Sequence, residues 1–270
     1  MSNGSSSPSP AAAAPHPAAP AGPTDYQRWP WGPAAGFFVT ACSFLLSQLL
    51  AGGVFMLLFT ALGWPAARSN NWFNSVLGQF LAVVLSEVLA LVFLGWFLRW
   101  RKAPWRLLGF TRLPLLRDVG KAALGFVIYF TLLLVIGGIA AAVFHINMDQ
   151  KQELGFDTVR GIGDKLLVFV SLVLLPPIVE ETLFRGFLFT GLRKKLKLLP
   201  ALLITSLLFA SPHLAEGSGG VLWMAGIDTF LLSVVLCYLR EKTGALWAGV
   251  AVHMLKNGVA FAYLYIFVSK

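Results

Sequence analysis

The sequence predicts an all-α, polytopic membrane bundle of about seven transmembrane helices, with an eighth left open. Three observations predict it. Of 270 residues, 57% are hydrophobic and only 12% are charged, against about 25% charged in an average soluble domain. The mean hydropathy is +0.74. The apolar residues also gather in seven runs, near 36–63, 75–98, 119–144, 165–190, 199–213, 221–239 and 245–268. A soluble fold of this size cannot hide that much apolar surface. An ordinary soluble enzyme, a disordered chain and a nucleic-acid-binding domain are therefore excluded. The net charge of +9 implies no nucleic-acid partner, because cations gather in the cytoplasmic loops of membrane proteins.

Residues 1–33 read as a disordered Pro/Ala/Ser-rich tail, with eight of the 15 prolines, a composition that cannot build a packed core. The tail has no basic segment followed directly by an apolar one, so it does not read as a cleaved signal peptide. Residues 34–270 read as the membrane-embedded domain. Most of the seven runs reach the roughly 20 residues that cross about 30 Å of hydrocarbon as a helix; the fifth is short. None alternates with the period of two that barrel strands require. Trp29, Trp31, Trp64, Trp72, Trp96, Trp100, Trp105, Trp223 and Trp247 fall at or near run ends, where an aromatic belt is expected. Cys42 and Cys237 both sit in apolar runs and read as packing residues.

Charge in the connections sets the orientation. Arg99, Arg101, Lys102, Arg106, Arg112, Arg117 and Lys121 follow the second run against Asp118 alone. Arg193, Lys194, Lys195 and Lys197 follow the fourth; Arg240 and Lys242 follow the sixth. The opposite connections carry Arg68 in one, and Asp149, Glu153, Asp157 and Asp164 in another. Basic even-numbered connections imply a cytoplasmic N-terminus and, with seven spans, a C-terminus outside. Residues 99–118 read as an interfacial amphipathic stretch; a dip into the membrane there would make the eighth span.

Ionisable groups at membrane depth are costly and therefore candidates for function. The fourth run contains LLPPIVEETLFRGFLF. Pro176 and Pro177 predict a break, with Pro177 opening a new helix and Glu180 and Glu181 near its positive end. Glu181 and Arg185 stand four apart in the favourable order. Arg185 then neutralises and orients Glu181, and Glu180 is left facing a cavity as a candidate general base. In the fifth run Phe209 and His213 are four apart, and Pro212 loosens or ends the helix. In the last run His253 and Asn257 share one face; histidine moves protons or binds metal, and an asparagine amide can stabilise an oxyanion. Glu87 in the second run and Asp228 in the sixth are the exceptions outside these groups. Converging carboxylates and imidazoles can activate water, directly or through a divalent metal, which is the chemistry of amide hydrolysis.

The ordered set of Glu180, Glu181 and Arg185, then Phe209 and His213, then His253 and Asn257 resembles the CAAX protease and bacteriocin-processing family, also called the CPBP or Abi family. It covers motifs within residues 176–260. The resemblance implies an all-helical bundle with a membrane-embedded cavity and an intramembrane endopeptidase acting on membrane-associated or lipidated substrates. It assigns Glu180, His213, His253 and Asn257 as catalytic, with Glu181, Arg185 and Phe209 in support. It leaves two routes to activated water, one through a divalent metal such as Zn2+ held by Glu180, His213 and His253, the other without metal. The implied partners are the lipid bilayer and a peptide or protein substrate entering from the membrane. Rival readings are a non-enzymatic scaffold or bacteriocin-immunity protein, and a proton-coupled transporter, against which the lack of internal repeats counts.

Overall fold

The computed structural model describes residues 26, 29–110, 116–147, 152–217 and 220–268. All but residues 26 and 29–33 of the tail, the cation Arg112 and the acid Asp149 lie outside the described residues. Among the described residues seven helices are long and apolar enough to cross a membrane: α1 (Pro33–Ala61), α3 (Val76–Trp100), α4 (Asp118–Phe144), α5 (Ile162–Arg193), α6 (Leu198–Ala215), α7 (Trp223–Thr243) and α8 (Trp247–Val268). One short helix, α2 (Ala66–Phe73), joins α1 to α3. No strand occurs among the described residues. The chain is a multi-pass integral membrane protein.

Two of these features depart from the sequence reading. Helix α2 was not legible as an element, because AARSNNWF is short and polar. Its Trp72 ring packs on Phe55 and Phe59 of α1, and Trp64 stacks on Phe59 at 5.1 Å, so these tryptophans fasten α2 to the end of α1. Trp31 is likewise buried rather than part of a belt; its indole N–H donates to the Phe187 carbonyl at 3.0 Å and its ring stacks on Phe187. Residues 99–110 form no eighth span. Trp105–Leu108 make one 3-10 turn, and Leu108 is fully buried, with its backbone so close to Gly186 that any Cβ there would collide.

Helix α5 is the axis of the bundle. It packs against α1, α3, α6, α7 and α8, and every residue from Glu181 through Leu192 is buried. A helix apolar on all sides belongs in such a position. Gly36 of α1 and Gly191 of α5 face each other, a Cβ on Gly191 coming within 3.3 Å of the Gly36 Cα. Small residues at a crossing let helix backbones approach and gain packing that lipid cannot supply. The end of the bundle that carries Arg193 is clasped by an ion pair. Arg193 grips Glu241 at 2.8 Å, and the Tyr26 hydroxyl donates to the same carboxylate at 2.9 Å.

Candidate active site

The two prolines do not break α5. The helix runs from Ile162 to Arg193 and absorbs them in a wide, π-type turn at Val170–Leu174 just upstream. Widening the turn makes room for the proline rings. The glutamates therefore sit inside a continuous helix and not at a helix start. Pro176 has no N–H, so the Leu172 carbonyl, four residues back, lacks its usual donor. Asn257 of α8 supplies one, its Nδ2 donating to Leu172 O at 2.9 Å.

A second wide stretch, Glu181–Phe189, follows at once. Glu181 and Arg185 are wholly buried there and pair at 2.8 Å, as the four-residue spacing predicts. Glu181 Oε1 also accepts from His253 Nδ1 at 3.1 Å. With Nδ1 committed, the imidazole presents Nε2 on its other side, 3.7 Å from Glu180 Oε2. One connected line thus runs Arg185, Glu181, His253, Glu180. Arg185 also lies over the Phe209 ring at 4.1 Å. Phe209 touches both imidazoles, its centroid 5.6 Å from His213 and 5.8 Å from His253. Gly249 makes the fit close, since a Cβ there would stand 3.3 Å from Glu181 Oε2.

Two predicted residues lie outside this line. Pro212 loosens the end of α6 as expected, and His213 sits in the resulting 3-10 turn, Pro212–Ala215. Its Nδ1 donates to the Phe209 carbonyl at 3.2 Å, and its Nε2 faces Glu216 at 3.9 Å. Asn257 spends one of its two amide N–H donors on Leu172.

Glu180 opens onto a cavity of about 540 Å³ between α1, α3, α5 and the turn after α6. Glu87 and Glu216 share its wall, with no Lys, Arg or His among the lining residues. Glu87 was an isolated exception in the sequence; only the packing of α3 on α5 brings it to Glu180. Glu216 is tied back by Gln152, whose amide donates to it. Among the described residues no group of three His, Cys, Asp or Glu side chains is gathered to hold a metal ion. His253 commits Nδ1 to Glu181 and His213 commits Nδ1 to a backbone carbonyl, so each keeps Nε2 as its free ring nitrogen.

Fold and site together define a polytopic membrane protein with an intramembrane carboxylate–imidazole centre. Residues 162–259 match the family described as Rce1-like, type II CAAX prenyl endopeptidase Rce1-like, in agreement with the motif resemblance. An uncharacterized 24.3 kDa protein of Escherichia coli is 32% identical over 97 residues, which are 35% of this chain and 43% of that protein. The similarity thus spans less than half the length of either chain. No solved structure matches.

Proposed function

We propose that the protein is an intramembrane endopeptidase that hydrolyses a peptide bond in membrane-associated or lipidated substrates. The observation that carries this reading is the approach of His253 Nε2 to Glu180 Oε2 at 3.7 Å, with the imidazole anchored on the buried Glu181–Arg185 pair. A water beside that gap reaches both groups. Glu180 takes its proton as the oxygen adds to the peptide carbonyl. The oxyanion is met by the second Asn257 N–H, and the carbon–nitrogen bond breaks as the leaving amine takes up a proton. His213 completes the water's surroundings when substrate draws it from Glu216, since catalytic hydrogen bonds tighten on binding. Glu181, Arg185 and Phe209 hold the imidazoles in place. The loops rich in Lys and Arg lie on the cytoplasmic side, which puts the N-terminus inside and the C-terminus outside.

The test is cleavage of lipidated and unmodified peptides by the detergent-purified protein, beside Glu180→Gln, each with and without chelator. Cleavage by wild type and loss in Glu180→Gln supports the reading. Equal cleavage by both overturns it. Loss on chelation would assign a divalent metal such as Zn2+ the activation of the water; cleavage unchanged by chelator would assign it to the side chains alone.

A further inference from the structure

Hydrolysis of an amide needs two proton transfers. Water must lose a proton as it attacks, and the amine nitrogen must gain one as it leaves, because an amide anion is too basic to be expelled. Glu180 supplies the first. The cavity it faces holds one other acid that nothing restrains. Glu87 lies near the middle of α3, lines the same cavity, and makes no hydrogen bond or ion pair among the described residues. The neighbouring hydroxyls are spent on their own helices: Ser47 donates to Phe44 O, Ser86 to Val83 O and Ser171 to Leu167 O. Glu216, the third acid, is held by Gln152 and faces His213. A carboxyl group at membrane depth without a partner is costly unless it has a use. Glu87 and Glu180 thus face one cavity whose lining carries no Lys, Arg or His.

We propose that Glu87 is a further catalytic residue, the general acid that protonates the leaving amine while Glu180 removes the proton from water. The proposal rests on the protease reading above. At the start Glu180 is a carboxylate and Glu87 a carboxylic acid. Water's oxygen bonds to the carbonyl carbon and one of its protons passes to Glu180. The carbon–nitrogen bond then breaks, and the Glu87 proton goes to the nitrogen. The products are a carboxylic acid and an amine. Glu180 is left protonated and Glu87 ionised, and one proton crossing the cavity resets the pair. No oxidant, reductant or further reactant is required.

The test compares two substrates that differ only at the scissile bond. One is a peptide amide; the other is the matching ester of an acidic phenol, whose leaving group needs no proton. Wild type, Glu87→Gln, Glu87→Asp and Glu180→Gln are assayed on both, with thermal melting to confirm that each variant is folded. Glu87→Gln is expected to lose about 100-fold or more in kcat/KM on the amide and to keep near-wild-type activity on the ester. Glu87→Asp, which still carries a proton, should retain part of the amide activity. Glu180→Gln should lose both. Equal losses of Glu87→Gln on the two substrates, or no loss on the amide, overturn the proposal and leave the protease reading standing. Full activity of Glu180→Gln overturns the protease reading, and the role of Glu87 falls with it.

Discussion

Asn257 Nδ2 donates to the Leu172 carbonyl oxygen at 2.9 Å, the oxygen that Pro176 leaves without a helical donor. A side chain of the last span thereby mends the backbone of the central one. Asn257→Ala is expected to cost about 0.6 kcal/mol, the mean for such bonds in membranes, read as a lowered melting temperature. Pro176→Ala returns an N–H to position 176, so Asn257→Ala should cost less in that background. A double-mutant cycle with no coupling would show that Asn257 does not replace the missing donor.

Arg185→Met leaves Glu181 buried beside His253 with its cation gone. A broken buried pair costs about 3–5 kcal/mol, so this variant should melt far below wild type. The double variant Glu181→Gln with Arg185→Met removes both charges and should recover most of that stability. It should remain inactive, because His253 Nδ1 has then lost the carboxylate that sets its orientation. Melting curves and peptide cleavage read the two effects separately.

Gly249→Ala places a methyl group 3.3 Å from Glu181 Oε2, and Glu181 is fixed by Arg185 and His253. Overpacking of this kind costs about 1–3 kcal/mol. Cleavage should fall several-fold as Glu181 shifts and turns the imidazole. Gly258→Ala is the control, since its Cβ would meet only Val173 at 3.7 Å; it should behave as wild type in both assays.

Phe209 stands between the two imidazoles and beneath Arg185. Phe209→Ala empties a fully packed position and should cost about 3–5 kcal/mol. Phe209→Leu should cost less, yet it removes the ring face under the guanidinium. Its cleavage should therefore drop by more than its melting temperature suggests. Proportionate losses in the two variants would reduce Phe209 to a filler.

The seven spans were legible because apolar length alone determines what can cross hydrocarbon. The Glu181–Arg185 pair was legible because one helical turn brings the two side chains together whatever surrounds them. The passage through Pro176 and Pro177 was not, because a proline pair reads locally as a stop. The widened turn at Val170–Leu174 and the Asn257 amide that let α5 continue come from elsewhere in the bundle. The same reason hides the place of Glu87, which no motif marks and only helix packing brings to Glu180. Asn257 reads as an oxyanion donor from its amide chemistry and the family resemblance, but the bond it makes is to a backbone oxygen, a partner that carries no sequence signal.

The cavity in front of Glu180 draws its walls from α1 and α3 as well as from the motif-bearing helices. The region of family similarity, residues 162–259, is therefore not a unit that can be excised. Expressed alone it would turn Glu180 outward to lipid, and it would lose Gly36, Trp31 and the close seam they form with α5. The motif residues Glu180, His213, His253 and Asn257 lie in one stretch of chain. The vessel in front of Glu180 is built from both halves.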